Sequence, residues 1–448
     1  MIVLLTLRRV LCLLTAAASP RQRWVQVGLG KSPRKEKTLN SLLHRTCAFT
    51  SAVVATLAVV AAVGSTTAPA SVAQLGCGAI ITTDTTLDSD LTGCPSNGIV
   101  IGADDITLDL NSHTVGGDGV PAGPCFDEGV CDLGISNIAG HTGLTIEDGA
   151  VRGFDVGVSV RGSENRIQGV ASANNSTFGM ILADATGSRI DHNSSVDDGV
   201  SGILMFGSTH SRIDHNSVEG TQGYAMPVFD SSHNRLEQNV LTGDQHGILV
   251  EESSNDNEVK GNRISHGGSI EIGHSRDNRV EGNVLTDPGD GILLGEAQRT
   301  LVSGNSVTQA GIGFPDAGGF GILLDGADDS LVERNAVTGG NGPAIFVTSL
   351  ESEGTSDRNV ISRNVTNSRL SDGILVNGNA TASLLERNTA VHNGHDGIEV
   401  AAAGTTVTRN TANFNHDLGI EAVPEVIDGG GNRARGNGNP LQCINVAC

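Results

Sequence analysis

The sequence predicts an all-β chain wound as a single-stranded right-handed parallel β-helix, a solenoid of about 12–15 coils. Three observations carry this. Ser188-Arg-Ile-Asp-His-Asn193 and Ser211-Arg-Ile-Asp-His-Asn216 repeat the same residues at a spacing of 23. A Gly followed by an apolar residue opens successive stretches of about 21–24 residues, or multiples of that, at Gly157, Gly179, Gly202, Gly223, Gly247, Gly291, Gly321, Gly373, Gly397 and Gly419. Gly268 and Gly342 fill two gaps. A second strand in each stretch ends in Asn, at 193, 216, 239, 262, 283, 305, 335, 364, 388 and 410. A third short strand follows, so three strands and three bends make a triangular coil. Stacked at about 4.8 Å per coil, the whole forms a rod on the order of 60–70 Å long.

Taken in order, residues 1–73 read as a leader. Lys35-Glu-Lys37 and Arg45 precede the uncharged run Cys47–Gly64, then Ala68-Pro-Ala70 and Ser71-Val-Ala73. Basic end, apolar core and small residues describe a secretory signal cut near Ala70 or Ala73. An uncleaved anchor is the alternative, because the run is close to a spanning length. Residues 1–34 place a second apolar run before the basic stretch, which suits a start codon assigned too far upstream. The expected product is secreted, with no membrane attachment after cleavage. It comprises an N-terminal cap (74–97), the coils (98–422) and a C-terminal cap (423–448). Its six cysteines cluster as Cys77/Cys94, Cys125/Cys131 and Cys443/Cys448, and an even number in an exported chain reads as local disulfides.

Residues 74–448 carry 19 basic and 49 acidic groups, a net charge of -30. That field excludes a nucleic-acid partner. It also repels polyanionic polysaccharides unless a local basic patch or cation offsets it. Sugar clefts lean on exposed Trp and Tyr, yet beyond the leader only Tyr224 remains and Trp is missing.

Within the coils, Asn at one bend suits a left-handed backbone and stacked amides that bond one another. Outward positions of the second strand read Arg189, Arg212, Arg235, Glu258, Arg279 beside Asp191, Asp214, Glu237, Lys260, Glu281. The simultaneous sign reversal at Glu258 and Lys260 puts opposite charges on neighbouring strands. An outward column of the first strand reads Ile181, Leu204, Leu249, Glu271, Leu293, Leu323, Phe346, Leu375, Glu399, Glu421. Such an apolar stripe calls for a cover, either the chain's own loops and tail or a self-association face. Insertions near Gln309–Phe320 and Thr348–Arg358 leave the solenoid on loops.

These repeats resemble the right-handed parallel β-helix proteins of the pectate-lyase-like superfamily over residues 98–440. Ile190-Asp-His192 and Ile213-Asp-His215 are similar to the Trp-Ile-Asp-His stretch of pectate lyases, without the Trp and without an Arg-x-Pro-x-x-Arg. Asp197-Asp198 resembles the paired aspartates of polygalacturonases, without a Gly-His-Gly. Alginate epimerases carry Asp-Pro-His, whereas the one Asp-Pro here, Asp287-Pro288, is followed by Gly289. The resemblance implies a secreted protein that binds or acts on extracellular polysaccharide, as a uronate-polymer lyase or C5-epimerase. A non-catalytic surface scaffold or adhesin is the alternative.

Seven His lie between 192 and 274. Proton abstraction beside a uronate carboxylate needs a base, a donor such as Tyr, and a charge neutraliser. The candidates are His215, Tyr224 and His246, with Arg212 or Arg235 neutralising and Asp214, Asp230, His233 and Asp244 binding substrate; the alternative is that these groups decorate solvated turns. No cofactor is expected; calcium on the Asp ladders is the weaker alternative, since no Gly-Gly-x-Gly-x-Asp run occurs. N-terminal sequencing of the secreted protein should start just after Ala70 or Ala73; a product retaining Cys47–Gly64 would instead identify an anchor.

Overall fold

The computed structural model describes residues 75–122, 131–312, 318–349 and 354–448. A parallel sheet of 16 strands runs from Ala79–Ile81 to Cys443–Ile444 and forms one side of a solenoid. The other two sides are short strands such as Arg212–Asp214 and Ser217–Glu219, each paired with its equivalent one coil further on. The described residues contain no helix, hence none long and apolar enough to cross a membrane. Period-two alternation sends one side chain per short strand inward. Ile190, Ile213, Leu236, Val259 and Val280 are vertical neighbours in register, each fully buried. Burying each of these stabilises by about 1.5–3 kcal/mol.

The strand ladder continues into both end segments, where Ala79–Ile81 pairs with Ile99–Ile101 and Cys443–Ile444 with Ile420–Glu421. The disulfides Cys77–Cys94 and Cys443–Cys448 close these ends as expected. Cys131 is also disulfide-bonded; Cys125 lies outside the described residues, as do the leader and parts of both insertions.

Two expectations need correction. Gly223 does not open its coil: Tyr224 lies opposite His246 and Met226 opposite Ile248, so Ala225 takes the place held by Gly247 in the next coil. The left-handed residue at the Asn bend is the one before the Asn. His192, His215, Gln238, Arg334, Arg363, Arg387 and Arg409 have φ of 55–56°, and Gly261, Gly282 and Gly304 fill the same place with φ of 62–65°. The reason is that the Asn must turn its amide inward. Asn216 Nδ2 donates to Ile190 O (2.9 Å) and Asn239 Oδ1 (3.1 Å), and its backbone N–H donates to the same Oδ1 (2.9 Å). This unit recurs from Asn193 to Asn432. A second ladder, unforeseen because Ser alternates with Asn, links Asn165, Ser188, Ser211, Asn234, Asn257 and Asn278.

Charges on the second side form a diagonal zipper. Arg166 donates two bonds of 3.0 Å to Asp191 one coil on, Arg189 donates at 2.9 and 2.8 Å to Asp214, and Arg212 reaches Glu237 at 2.9 Å. Burial raises the pKa of Asp191 and Asp214. The hydrogen bonds from Arg and His and the nearby guanidinium charges outweigh it and hold both below the ordinary range. Lys260 lies between Glu237 and Glu281 in register, but its Nζ donates to Glu258 of its own strand at 3.2 Å.

The outer stripe is aligned as expected, with Pro227 in line opposite Leu249. Ile181, Leu204, Leu249, Leu323 and Phe346 in it are buried, and Leu293 and Leu375 are half-buried. Arg369 is buried too; it donates to the carbonyls of Gly319, Gly339 and Gly342, and burial pushes its pKa down to about 10.

Asn239→Ala would orphan Ile213 O and the Asn216 N–H. At about 1–3 kcal/mol per unpaired buried group, urea melts should show a loss of roughly 2–5 kcal/mol. Asp214 has a depressed pKa, so its contribution is complete above the unfolded value of about 3.9 and fades as pH falls through the lower folded value. Asp214→Asn should cost about 1–3 kcal/mol at neutral pH and flatten the acid limb of the stability profile.

Candidate active site

The Asn bend places His192 and His215 on the outside because a left-handed residue between an inward Ile and an inward Asn must project its side chain away from the core. Their rings stack with centroids 4.9 Å apart and planes 2° from parallel. His215 Nδ1 lies 2.7 Å from Asp214 Oδ2, and His192 Nδ1 lies 3.0 Å from Asp191 Oδ2. An ionised carboxylate can only accept, so each Nδ1 carries the proton and Nε2 is the basic nitrogen. The aspartates are fully buried, whereas the His215 side chain is 40% exposed. The histidines of these two parallel Asp–His dyads thus line an open groove of about 400 Å³ with Val170, Ser194, Asn216, Ser217 and Val240. The Ile-Asp-His stretch has a structural logic: core, ion pair, bend.

Further along the same bend the column changes character. After Gln238, Gly261, Gly282 and Gly304 come Arg334, Arg363, Arg387 and Arg409, all left-handed and exposed. Glu333 approaches Arg334 and Arg363, the latter at 3.8 Å, and Glu386 approaches Arg387 at 3.4 Å. Four cations against two carboxylates leave a positive strip on a strongly acidic protein. Arg433 and Arg435 line a cavity of about 250 Å³ in the last coils. The sequence contained this signal as Arg before Asn in four consecutive coils.

Tyr224 and His246 sit elsewhere, on the outer face of the 16-stranded sheet. Their rings stack at 4.5 Å, and both are buried. Glu271, assigned from sequence only to the stripe, joins them: Tyr224 Oη donates to its Oε2 at 2.9 Å, Ser269 Oγ to its Oε1 at 2.5 Å, and His246 Nδ1 lies 3.5 Å away. Burial raises the Glu271 pKa, but its partners His246, Ser269 and Tyr224 bring it below the ordinary value. Glu251, one strand before, is raised by burial and contacts His274 at 3.2 Å.

The expected single constellation is therefore divided between two sides. His215, Asp214 and Arg212 belong to the bend and the second side, where Arg212 is bound to Asp214 (3.1 Å) and Glu237. Arg235 lies on the same side, 3.6 Å from Glu258. Neither Arg stands beside the Tyr224–His246 pair, because that pair projects from a different sheet of the triangular coil. His233 stacks on His210 at 5.1 Å and approaches Asp256 at 4.0 Å. Asp230 is an exposed left-handed residue after its strand. Asp244 is buried, accepts from the Thr221 N–H and hydroxyl at 2.9 Å, and is pushed up to about 6 by burial.

No curated protein matches this sequence. Among solved structures the chain is similar to a tailspike protein double mutant of E. coli bacteriophage HK620 in complex with pentasaccharide, with 13% identity, coverage of 82% of this chain and 73% of that one, and a TM-score of 0.41. It is similar to a lacto-N-biosidase from Eubacterium ramulus, with 13% identity, 61% of each chain covered and a TM-score of 0.44. It is also similar to a mannuronic acid specific polysaccharide lyase from human gut microbiota, with 14% identity, 67% and 83% covered and a TM-score of 0.45. At such identity the likeness concerns the fold alone. The profile of the right-handed beta helix region matches residues 133–285 and 246–412, more than half of the chain, and the protein belongs to that family.

Proposed function

We propose that the protein is secreted and acts on an extracellular polyanionic polysaccharide, a uronate polymer, by lyase or C5-epimerase chemistry along the Asn bend. The observation that carries this is the single axial column holding two Asp–His dyads at one end and four exposed arginines at the other. Its members repeat at about 4.8 Å, close to the advance of one sugar unit, so successive carboxylates can meet successive arginines. This supplies the local offset that a chain of net charge -30 (residues 74–448) needs before it can hold a polyanion.

His215, oriented by Asp214, acts as the base at Nε2 and removes the proton on C5. His192, having taken up a proton at Nε2, faces the substrate carboxylate as the acid. In elimination the electron pair forms the C4–C5 double bond and the departing O4 takes a proton from His192; in epimerisation a water on the opposite face protonates C5, and His215 passes the proton it removed to the hydroxide left behind. The Tyr224–His246–Glu271 cluster is a second polar centre on another side.

Purified mature protein should be incubated with alginate, pectin and glucuronan, reading the ultraviolet absorbance of unsaturated ends and C5 inversion by NMR. His215→Ala should lose at least about a hundredfold in rate, while Lys260→Gln keeps it. Arg363→Glu with Arg387→Glu should weaken polymer binding with little change in turnover of short oligomers. Loss on Tyr224→Phe but not on His215→Ala would move the chemistry to the flat sheet. No product and no binding across the panel would leave a scaffold.

A further inference from the structure

Beyond that reading, and independent of it, the late coils gather a different set of groups on the outer face of the 16-stranded sheet. Asp372 and Asp396 precede Gly373 and Gly397 on adjacent coils, and Glu399 and Glu421 replace the aliphatic residues of the outer stripe. One ligand atom each from Asp372, His395, Asp396 and Glu399 falls within 4.8 Å of the others. Asp372 Oδ1 accepts from the Asp396 N–H at 2.9 Å and meets His395 Nδ1 at 2.7 Å. Asp396 Oδ1 accepts from the Leu418 N–H at 2.7 Å. Its Oδ2 is different: the residue is fully buried, yet this oxygen meets no hydrogen-bond donor, His395 Nδ1 lies 3.8 Å from it, and the Glu421 carboxylate also approaches this side chain. Among the described residues no Lys or Arg is ion-paired with any of these acids.

We propose that Asp372, His395, Asp396 and Glu399 form a binding site for a first-row divalent cation of the Zn²⁺ or Mn²⁺ kind. An unpaired buried carboxylate oxygen beside two more carboxylates is costly unless a cation neutralises it. The donor set, one imidazole nitrogen with carboxylate oxygens, suits borderline cations; Ca²⁺ and Mg²⁺ take oxygen ligands alone. The ligands come from the coils of Asp372 and Asp396, so the ion would clamp consecutive coils near the C-terminal end.

Full-length mature protein, stripped with EDTA and dialysed, should be titrated calorimetrically with Zn²⁺, Mn²⁺ and Ca²⁺ and its melting followed in parallel. The expected result is one equivalent of Zn²⁺ or Mn²⁺ bound, a rise in Tm on binding, and weaker response to Ca²⁺. Asp396→Asn keeps an acceptor for the Leu418 N–H, so it tests ligation without removing that bond; with Glu399→Gln it should weaken affinity at least about tenfold. Absence of stoichiometric binding, or equal binding by the double variant with unchanged Tm without metal, would overturn the site. A Ca²⁺-only response would overturn the assigned cation class. Uronate-polymer turnover by the same samples reports separately on the groove at His215.

Discussion

One constraint underlies the rest of the molecule: every coil must lie on the next in register, so that the buried amide of one Asn bonds both the main chain and the amide of its neighbour. Asn216 satisfies Ile190 O and accepts from Asn193 N–H while passing its own N–H to Asn239. A bend buried in this way has no water to satisfy it, so the ladder replaces solvent for a whole column of peptide groups. Because each link needs both neighbours, the ladder tolerates loops of different length between coils, such as the 30-residue step from Asn305 to Asn335, but not a shift in register.

That constraint also determines where chemistry can be displayed. The residue before each Asn is turned into the left-handed region, and its side chain is the one at this bend released from packing. Four coils use Gly there, at 261, 282, 304 and 431, for which the conformation is nearly free of cost. Where His or Arg stands instead, the chain accepts a less favourable backbone and gains an aligned row of functional groups. The aspartates behind His192 and His215 can be buried because Arg166 and Arg189 reach diagonally from the preceding coil to hold them.

The flat sheet displays groups by another route, replacing aliphatic members of its outer stripe. Glu271, Glu399 and Glu421 are such replacements, and each puts a carboxylate into that stripe. Glu271 is satisfied by Tyr224, Ser269 and His246. Asp396 and Glu399 have no such donors, and burial is the leading cause that raises both their pKa values. The same position thus yields a satisfied polar cluster in one coil and an unsatisfied acidic one in another.

The winding, the coil spacing, the inward columns and the local disulfides Cys77–Cys94 and Cys443–Cys448 were legible in the sequence, because a period carried over many coils makes residue number a direct measure of height. The pairing of Glu258 and Lys260 with their neighbours in register was legible for the same reason. Sequence alone did not reveal which residue of the bend is left-handed, since Asn and the residue before it are equally suited until the amide's bonds are seen. Nor could it place Tyr224, where Ala225 stands in for a Gly and shifts the apparent start by two residues. It could not separate His215 from Tyr224 and His246, because height along the axis says nothing about which side of the triangle a group faces. Only the tertiary structure decided that, and with it the gathering of Asp372, His395, Asp396 and Glu399, whose meeting depends on the sideways reach of their side chains across adjacent coils.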